Sequence, residues 1–597
     1  MKELLAAFPK SDTAGPALVG TPVLYDTHDA GPAIAGAPGS YNAYTSPDGA
    51  GWIAVKGIIF DVQSEEPRVD LEALWRRLAS DDPIDWNRFE GTFALAAWDA
   101  RRRRGIALND QTSQLNLYYT EDAGLVYVTT SALPLARKLG RGLDPAAVRE
   151  FIARGALVAP SAMFEGFKRL DVGENIVIEN DSAHLDQHWR YPVEIQNWSF
   201  DRTAEEAATV LADRIGRYGR SGGRLILDLT SGYDSRLLSS AADHAGLFPD
   251  VTVNGTAEEQ EVRIALKVAD ATGWPMHFFD RRELWTREID PDMRRELTLR
   301  TDGTLPFTGV YHHLLTRPVL AEEFDVHAAG VGGEFIRYHP WGQEFFGIGH
   351  RRPANVDRLL KYRMLHDGPP PGDLFDADWY PRFRSDLHER VDAICRSMPE
   401  TLTTQQLDAI HVWKQTGHPS LYLSAQFNWL PATVPSMGAG FVTAGMQTPW
   451  RFRLTARLTR RVTHLLCPRA AAVVTQYGGT AGPVTLSNFH LHASQPFRRT
   501  GHLFKKLDRV LLGKTPGRHD KQGAPLRRPW LTDEFREFLA LPAMRSRMLY
   551  AADGLARLTS GTDDDWYARE KWILRIATIE QLCHELDFTP EPGFIQS

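Results

Sequence analysis

Residues Leu225–Leu238 have the sequence Leu-Ile-Leu-Asp-Leu-Thr-Ser-Gly-Tyr-Asp-Ser-Arg-Leu-Leu, and this stretch decides the fold. An apolar run typical of a buried strand leads through a loop of small residues directly into a helix. Small residues let backbone N–H groups approach phosphate oxygens, and a helix N-terminus adds positive partial charge. The stretch therefore predicts a phosphate-binding loop with its donors at Thr230, Ser231, Gly232 and Ser235.

Asp234 follows these donors at the predicted start of the helix. Among phosphate-binding groups a carboxylate suits Mg²⁺, because Mg²⁺ bridges phosphates and one or two carboxylates. The alternative is a plain strand-to-helix turn in which Asp234 is a first-turn carboxylate at the helix dipole.

Strands and helices alternate around this stretch. Apolar runs predict strands at Leu225–Leu229, Val251–Val253 and Phe324–Ala328. Helical periodicity is found at Ala204–Tyr218, Arg236–His244 and Glu258–Thr272. This order predicts an α/β fold, with a doubly wound parallel sheet and helices on both faces. The rest of the chain is predicted to be largely helical and to end in one helix over Asp564–Leu586.

Residues 1–190 differ, because short apolar runs between turn signals predict mostly β structure. The predicted strands are Trp52–Phe60, Thr92–Trp98, Gly105–Asn109, Leu125–Thr129 and Asn175–Glu179. Helices are predicted at Leu71–Leu78 and Pro145–Arg154, with Asp144 as the N-cap of the second. We expect an α+β domain at 1–190 and the parallel-sheet domain with its helical C-terminal part at 200–597.

Composition limits the class of protein. A chain of 597 residues is long enough for two or three domains. Its net charge of −7 and mixed charges predict binding neither to nucleic acid nor to an anionic membrane. No run of about 18 apolar residues predicts a membrane span. The three cysteines lie far apart at Cys395, Cys467 and Cys583, so we expect neither disulfides nor a zinc cluster, and a cytoplasmic location.

The loop after Leu229 resembles the pyrophosphate-binding segment S-G-G-x-D-S of ATP pyrophosphatases, most closely that of asparagine synthetase-type enzymes. Thr230, Ser231, Gly232, Asp234 and Ser235 take those positions. Ser231 replaces the first glycine, and a positive φ there would strain a serine by about 1 kcal/mol. The resemblance implies that ATP binds at this loop.

A second segment, Ala329-Gly-Val-Gly-Gly-Glu-Phe335, resembles the family's S-G-E-G-A-D-E. Gly330 and Gly332 take the positions of its two loop glycines. Glu334 takes the position of an aspartate that contacts Mg²⁺–pyrophosphate in the family. The resemblance implies that Asp234 and Glu334 hold Mg²⁺ between them, at the edge where parallel sheets bind ligands.

Val331 stands where the family's asparagine synthetases have glutamate and its β-lactam synthetases a catalytic tyrosine. Valine cannot transfer a proton, so the acid–base group must lie elsewhere or be absent. Candidate substitutes are His312, His313 and His339. The family's lysine that stabilises departing pyrophosphate has no clear match, and Lys505, Lys506 and Lys514 lie in its general region.

Three N-terminal segments resemble the family's glutaminase domain and the region that leads out of it: Glu90–Asp99, Asn109–Tyr119 and Phe164–Leu170. Glutaminases of this class use an N-terminal cysteine as nucleophile. Because the first cysteine is Cys395, glutamine hydrolysis by this mechanism is not expected. The N-terminal domain is therefore interpreted as a non-catalytic, glutaminase-like sandwich.

Together the motifs predict an ATP-dependent ligase that activates a small-molecule or peptide carboxylate as an acyl-adenylate and forms an amide. The amine would be ammonia or part of the substrate, as in the family's β-lactam synthetases and lasso-peptide macrolactam cyclases. The alternative is a catalytically impaired homologue that binds nucleotide or peptide as a scaffold. The sequence leaves open whether a separate protein delivers the substrate and whether the chain forms a homodimer. It also leaves open whether residues 343–365 form a substrate lid or an ordinary surface loop.

Overall fold

A computed structural model describes residues 2–9, 23–26, 41–66, 68–80, 82–179, 182–338, 341–342, 344, 347–365, 367–369, 371, 374–375, 378–398, 400–427, 429–493, 528–591 and 594. The structure is a mixed α/β fold, as predicted. Two antiparallel sheets form its N-terminal part, a parallel sheet follows, and the C-terminal region is helical.

Eleven strands form the two antiparallel sheets, in the orders β2-β1-β8-β7-β9 and β11-β10-β6-β5-β4-β3. Their bounds are β1 Lys2–Pro9, β2 Val23–Asp26, β3 Tyr41–Thr45, β4 Gly51–Asp61, β5 Phe89–Asp99, β6 Arg104–Asn109, β7 Tyr118–Asp122, β8 Leu125–Thr129, β9 Lys168–Arg169, β10 Glu174–Glu179 and β11 Ser182–Gln187. Apolar side chains of both sheets share one core, which includes Phe8, Trp98 and Val128. The predicted sandwich is confirmed, although β1–β3, β7, β9 and β11 were not predicted.

Helix α1 (Leu71–Ala79) covers the outer face of the second sheet, and α2 (Leu133–Lys138) and α3 (Pro145–Arg154) follow. Helix α3 begins as predicted, because the Asp144 side chain accepts a hydrogen bond from the Ala147 N–H at 2.8 Å. Such an N-cap stabilises a helix by about 1 kcal/mol.

The parallel sheet has the order β14-β13-β12-β15-β16. Its strands are β12 Leu225–Asp228, β13 Asp250–Gly255, β14 Met276–Asp280, β15 Val326–Ala328 and β16 Ala432–Thr433. Leu225 and Leu227 pack in a core on one face, whereas Ile226 packs with Leu320 on the other. The sheet is therefore covered on both faces, as near-continuous apolar strands require.

The helices around this sheet are α4 Phe200–Gly222, α5 Asp234–His244, α6 Gln260–Thr272, α7 Arg281–Leu284, α8 Pro291–Thr301, α9 Phe307–Leu320, α10 Val356–Leu359, α11 Trp379–Arg396, α12 Thr403–Gln415, α13 Pro419–Gln426, α14 Ala439–Met446, α15 Trp450–Arg453, α16 Arg457–Leu466, α17 Pro468–Ala472 and α18 Phe489–Ala493. The C-terminal helices are α19 Asp533–Phe538, α20 Ala552–Leu558, α21 Asp563–Ala568 and α22 Glu570–Leu586. None of the described helices has the length and apolar content needed to cross a membrane.

The prediction of one helix over Asp564–Leu586 was wrong, because the chain leaves the helical conformation at Arg569 (φ −106°, ψ 7°). The Arg569 side chain donates to the carbonyl oxygen of Ser560 at 3.1 Å. This contact ties the break to the loop after α20. The segment 343–365 contains α10 and a single π-helical turn at Leu360–Met364, so its described second half is ordered helix packed on the core.

Candidate functional site

Two loops meet at the carboxyl edge of the parallel sheet, where such sheets bind ligands. The first, Leu229–Tyr233, joins β12 to α5, and the second, Ala329–Gly332, follows the neighbouring strand β15. At Gly330 the two loops are so close that an added Cβ would lie 2.4 Å from the Cβ of Ser235. The structure thus brings together the two segments that the sequence motifs singled out.

Hydrogen bonds within the first loop fix its shape. The Thr230 N–H donates to Ser235 Oγ at 2.8 Å, and the Thr230 and Ser235 hydroxyls lie 2.9 Å apart. The Gly232 N–H donates to Thr230 Oγ1 at 3.3 Å. Ser231 is fully buried and is not among the described non-glycine residues with positive φ. Serine at this position therefore does not carry the backbone strain considered from the sequence.

Asp234 is held by an arginine that sequence reasoning did not identify. Nη2 of Arg337 donates to both carboxylate oxygens, at 2.6 Å for Oδ1. Arg337 comes just after a 3-10 turn, Gly333–Ile336, which also carries Glu334. Glu334 Oε1 lies 3.7 Å from Nε2 of His411 on α12. Each predicted metal-binding carboxylate thus faces a nitrogen group of the protein.

Burial and mutual repulsion set the protonation of this pair. Burial raises the pKa of Asp234, Arg337 lowers it again, and the charge of Glu334 raises it. Burial also opposes ionisation of Glu334, but His411 and Arg337 hold its pKa below the usual range. The cluster therefore favours a charged Glu334, whereas burial and the charge of Glu334 keep the pKa of Asp234 above its usual range in spite of Arg337.

The Mg²⁺ prediction fits this geometry poorly. Both Asp234 oxygens accept from the Arg337 guanidinium, so a Mg²⁺ ion there would lie next to a cation that already occupies the carboxylate and would be repelled by it. Over the part of the chain that the structure describes, no group of three or more His, Cys, Asp or Glu residues could hold a metal ion. Mg²⁺ at Asp234 and Glu334 remains a prediction from the sequence, and no step below depends on it.

Around the first two loops, buried side-chain atoms without a hydrogen-bond partner among the described residues include three: Ser231 Oγ, Glu334 Oε2 and Arg337 Nε. Two of the atoms are donors and one is an acceptor. Buried polar atoms are nearly always paired, so an unpaired cluster points to a group that binds there. An anion with an adjacent donor group matches this set.

A second aspartate, at the end of β12, contacts both β15 and the second loop. Asp228, the last residue of β12, accepts from His327 Nε2 at 2.9 Å and from the Gly330 N–H at 3.4 Å. Burial opposes its ionisation, but His327 and Arg317 hold the pKa of Asp228 below its usual range. Asp228 therefore links β12 to β15 as a carboxylate and positions Gly330.

The predicted acid–base substitutes lie around this support. His312 and His313 belong to α9, and burial lowers the pKa of His312 to about 4 and that of His313 well below its usual value. Both act electrostatically with Arg317 and not with Glu334. Val331 is 42% exposed, and its carbonyl oxygen accepts from the Ser436 hydroxyl. His339, Lys505, Lys506 and Lys514 lie outside the described residues.

A third loop, Gln476–Gly479, packs on the first and was missed from the sequence. The Gln476 N–H donates to the Ser231 carbonyl oxygen at 3.3 Å, and the Tyr477 ring stacks on Tyr233 with centroids 5.8 Å apart. Arg236, on α5, donates to the Val474 carbonyl oxygen at 3.2 Å and anchors this loop. The Gly478–Gly479 pair, both with positive φ, is the only local signal that could have found it.

The N-terminal sandwich reaches the site through a fully paired network. Arg214 on α4 donates to both oxygens of Glu90 on β5, at 2.8 and 3.0 Å. The Thr92 hydroxyl lies 2.9 Å from that of Thr433, and Gln114 Oε1 accepts from the Val434 N–H at 3.0 Å. The segment after Val434 packs on the second loop through Ser436. The sandwich therefore helps to position that loop.

Sequence comparison gives a class of domain first. The sequence model of the glutamine amidotransferase domain family matches residues 67–189, which carry most of the second antiparallel sheet. A more particular similarity is to asparagine synthetase [glutamine-hydrolyzing] 3 of Bacillus subtilis (strain 168), 22% identical over 167 residues. That match covers 27% of this chain and 27% of the relative, so the chain spans about a quarter of the curated relative's length. These matches support a relationship to asparagine synthetase-like proteins.

Two solved structures match more loosely. Glutamine phosphoribosylpyrophosphate amidotransferase from B. subtilis, complexed with ADP and GMP, is 10% identical, covering 40% of this chain and 47% of that one, with a TM-score of 0.17. The allosteric regulatory enzyme of purine biosynthesis is 11% identical, covering 40% and 46%, with a TM-score of 0.18. Superpositions this loose carry no structural argument.

Proposed function

We propose that this protein is an ATP-dependent amide-bond synthetase that forms AMP and pyrophosphate. One observation carries the proposal. Ser231, Glu334 and Arg337 each have an unpaired buried atom, and they lie in or beside a loop of small residues that leads into the N-terminus of α5. Such a loop offers backbone N–H groups and positive partial charge to phosphates. The similarity to an asparagine synthetase supports the choice of ligase chemistry.

In the first step, an oxygen of the substrate carboxylate attacks the α-phosphorus of ATP. The bond from that phosphorus to the oxygen bridging the α- and β-phosphates breaks, and pyrophosphate leaves with the electron pair. Thr230, Ser231, Gly232 and Ser235 cradle the phosphates, and Gly330 and Gly332 let the second loop approach. Fixed donors aimed at developing negative charge supply the larger part of catalysis in such transfers.

In the second step, an amine nitrogen attacks the acyl carbon, AMP leaves, and the amide forms. We propose that the Glu334 carboxylate orients the amine through Oε2 and accepts the released proton, with His411 Nε2 3.7 Å from Oε1 beside it. This pair takes the place of the group that Val331 lacks. The pair lies near Asp234, whose pKa is raised by the charge of Glu334.

We propose that the amine is ammonia or part of the substrate. The sequence contains three cysteines, and all three are buried in the structure. Burial raises the pKa of Cys395 to about 11, so its thiol is a poor nucleophile near neutral pH. None of the three lies in the sandwich, so none fits the role of a glutaminase nucleophile there.

One observation favours a second candidate, a nucleotide- or peptide-binding scaffold without ligase activity. Arg337 already neutralises Asp234, the residue expected to act through a metal. If catalysis required a metal at Asp234, the loop would still bind anions but would not transfer an adenylyl group.

Pyrophosphate exchange separates the two candidates. The full chain is incubated with ATP, radiolabelled pyrophosphate and pools of amino acids, aryl acids and short peptides. The ligase proposal predicts label in ATP with at least one carboxylate pool, and loss of that label in Asp234→Ala. ATP binding without exchange in any pool supports the scaffold instead. Arg76→Gln, which removes an exposed arginine paired with Glu72, is the matched control.

A further inference from the structure

We propose that Arg337, and not a divalent cation, supplies the positive charge at Asp234, so that the first loop binds polyphosphate without metal. This inference rests on the proposed nucleotide site. It changes how that site works, because a residue of the chain itself takes on the charge neutralisation expected of Mg²⁺.

Both the side chain and the backbone of Arg337 are held by contacts. Nη2 donates to both oxygens of Asp234, and the group lies 5.8 Å from the centre of the Tyr233 ring. Its backbone carbonyl oxygen accepts from Nε and Nη2 of Arg453 at 3.2 and 3.1 Å. Arg453 is itself buried and paired with Asp408. Arg337 is therefore fixed at the loop and is not a mobile surface side chain.

This fixed position conflicts with metal binding at Asp234. A metal at Asp234 would lie beside a guanidinium that already donates to both carboxylate oxygens. It would be repelled by that cation, or it would displace the cation and leave it, only 12% exposed, without its partner. Removing one partner of a buried pair is strongly unfavourable. Retaining Arg337 keeps the pair intact and leaves its guanidinium beside the loop.

Arg337 also retains donors for a ligand. Its guanidinium has five N–H groups in a planar fork, and Asp234 uses those on Nη2. Nε is buried without a partner among the described residues, as is the hydroxyl of Ser231 in the first loop. Planar arginine forks suit phosphate oxygens. The two unpartnered donors thus match two oxygens of a phosphate that approaches α5.

Nearby cations add to the attraction for an anion. Lys414, on α12 one turn after His411, is mostly buried, and burial together with Arg363 and Arg154 lowers its pKa to about 8. Glu334 is the carboxylate that acts on this lysine. A buried lysine with more cations than carboxylates around it is stabilised when an anion binds nearby.

The test is calorimetric titration of the full chain with pyrophosphate and with ATP, once in EDTA and once in Mg²⁺. The proteins are wild type, Arg337→Gln, Arg337→Lys and the control Arg76→Gln, each checked for folding by its thermal midpoint. We expect wild-type affinities in the two buffers to agree within about threefold. Arg337→Gln should weaken binding in EDTA about tenfold or more, because charge-assisted hydrogen bonds are lost. The affinity of Arg337→Lys should lie between those of the wild type and Arg337→Gln, and the affinity of Arg76→Gln should equal that of the wild type.

Two results would overturn the inference while leaving the nucleotide site in place. One is wild-type binding that requires Mg²⁺. The other is Mg²⁺-dependent binding that becomes tighter in Arg337→Gln, since removing the arginine would then free Asp234 for the metal. If neither probe binds the wild type in either buffer, the proposed function itself fails and this inference with it.

Discussion

The sandwich–sheet interface and the loop site are both rich in buried polar groups, but they differ in how those groups are paired. At the interface, Glu90, Arg214, Thr92 and Gln114 all have partners within hydrogen-bond distance. At the loops, Ser231, Glu334 and Arg337 each keep a buried atom without one among the described residues. Paired groups hold two parts of the chain together, whereas unpaired ones leave binding capacity for a ligand.

We expect the largest effect of a single substitution at the interface between the sandwich and the parallel-sheet part of the chain. Arg214→Ala leaves the carboxylate of Glu90, 5% exposed in its side chain, without its cation. We expect a loss of about 3–5 kcal/mol in the free energy of unfolding, measured from urea midpoints. The exposed-pair control, Arg76→Ala, should change stability by less than about 1 kcal/mol. Equal small losses in both variants would show that the interface pair does not hold the sandwich in place.

Asp110 tests whether hydrogen bonds alone offset the free-energy cost of burying a carboxylate. It accepts from the N–H groups of Gln114 and Leu115 at 3.0 and 3.1 Å. Burial nevertheless raises its pKa from 3.8 to about 6. The folded state therefore binds the proton more tightly, and the stability gained below pH 3.8 is lost as the pH rises through about 6.

We expect the free energy of unfolding to decrease by about 2–3 kcal/mol as the pH rises from 3.8 to about 6. It is measured as the difference between the wild type and Asp110→Asn, which has no proton to lose. Parallel pH profiles of urea midpoints for the two proteins would contradict the assignment.

Gly330 tests the contact between the two loops. Alanine there would place a Cβ 2.4 Å from the Ser235 Cβ and 2.7 Å from its Cα, and neither atom can move without its backbone. Gly330→Ala should cost about 1–3 kcal/mol of stability and should weaken ATP binding as well. Thermal midpoints and ATP titration check both effects. Unchanged values for both would mean that the loops do not need this close approach.

At Gly232, unlike at Gly330, we expect a substitution to leave stability unchanged and to affect only ATP binding. An added Cβ would meet only Thr230 Oγ1, at 3.5 Å, and the backbone has no positive φ there. Gly232→Ala should therefore leave stability within about 0.5 kcal/mol. If phosphates approach the loop here, ATP affinity should fall about tenfold, which is 1.4 kcal/mol. Unaltered affinity would place the phosphates away from Gly232.

The sequence predicted those features that depend on neighbouring residues. The strand–loop–helix order at Leu225–Leu238 follows from local apolar runs and small residues, as does the N-cap of α3. Arg337 could not be predicted, because its contact with Asp234 joins residues 103 positions apart. The break at Arg569 was missed because apolar periodicity continues through it, and the side-chain contact of Arg569 with Ser560 has no local sequence signal.

The N-terminal half also has contacts between distant residues that could not be predicted from the sequence. The motif around Glu90 indicated a sandwich, but its pairing with Arg214 on α4 depends on how two separate sheets pack. Likewise, Gln476 and Tyr477 carry no motif, and only folding brings them onto Ser231 and Tyr233. Local patterns thus placed the loop, and tertiary contacts supplied the groups around it.

Thermal stabilisation by ATP measures whether the loop after β12 binds the phosphates of ATP, as we propose. At about 100 times its dissociation constant, ATP should add roughly 2.7 kcal/mol to the stability of the wild type. Arg337→Gln, which removes the cation beside the loop, should lose most of that stabilisation. A wild type that millimolar ATP does not stabilise, with or without Mg²⁺, would contradict the account, as would equal stabilisation of both proteins.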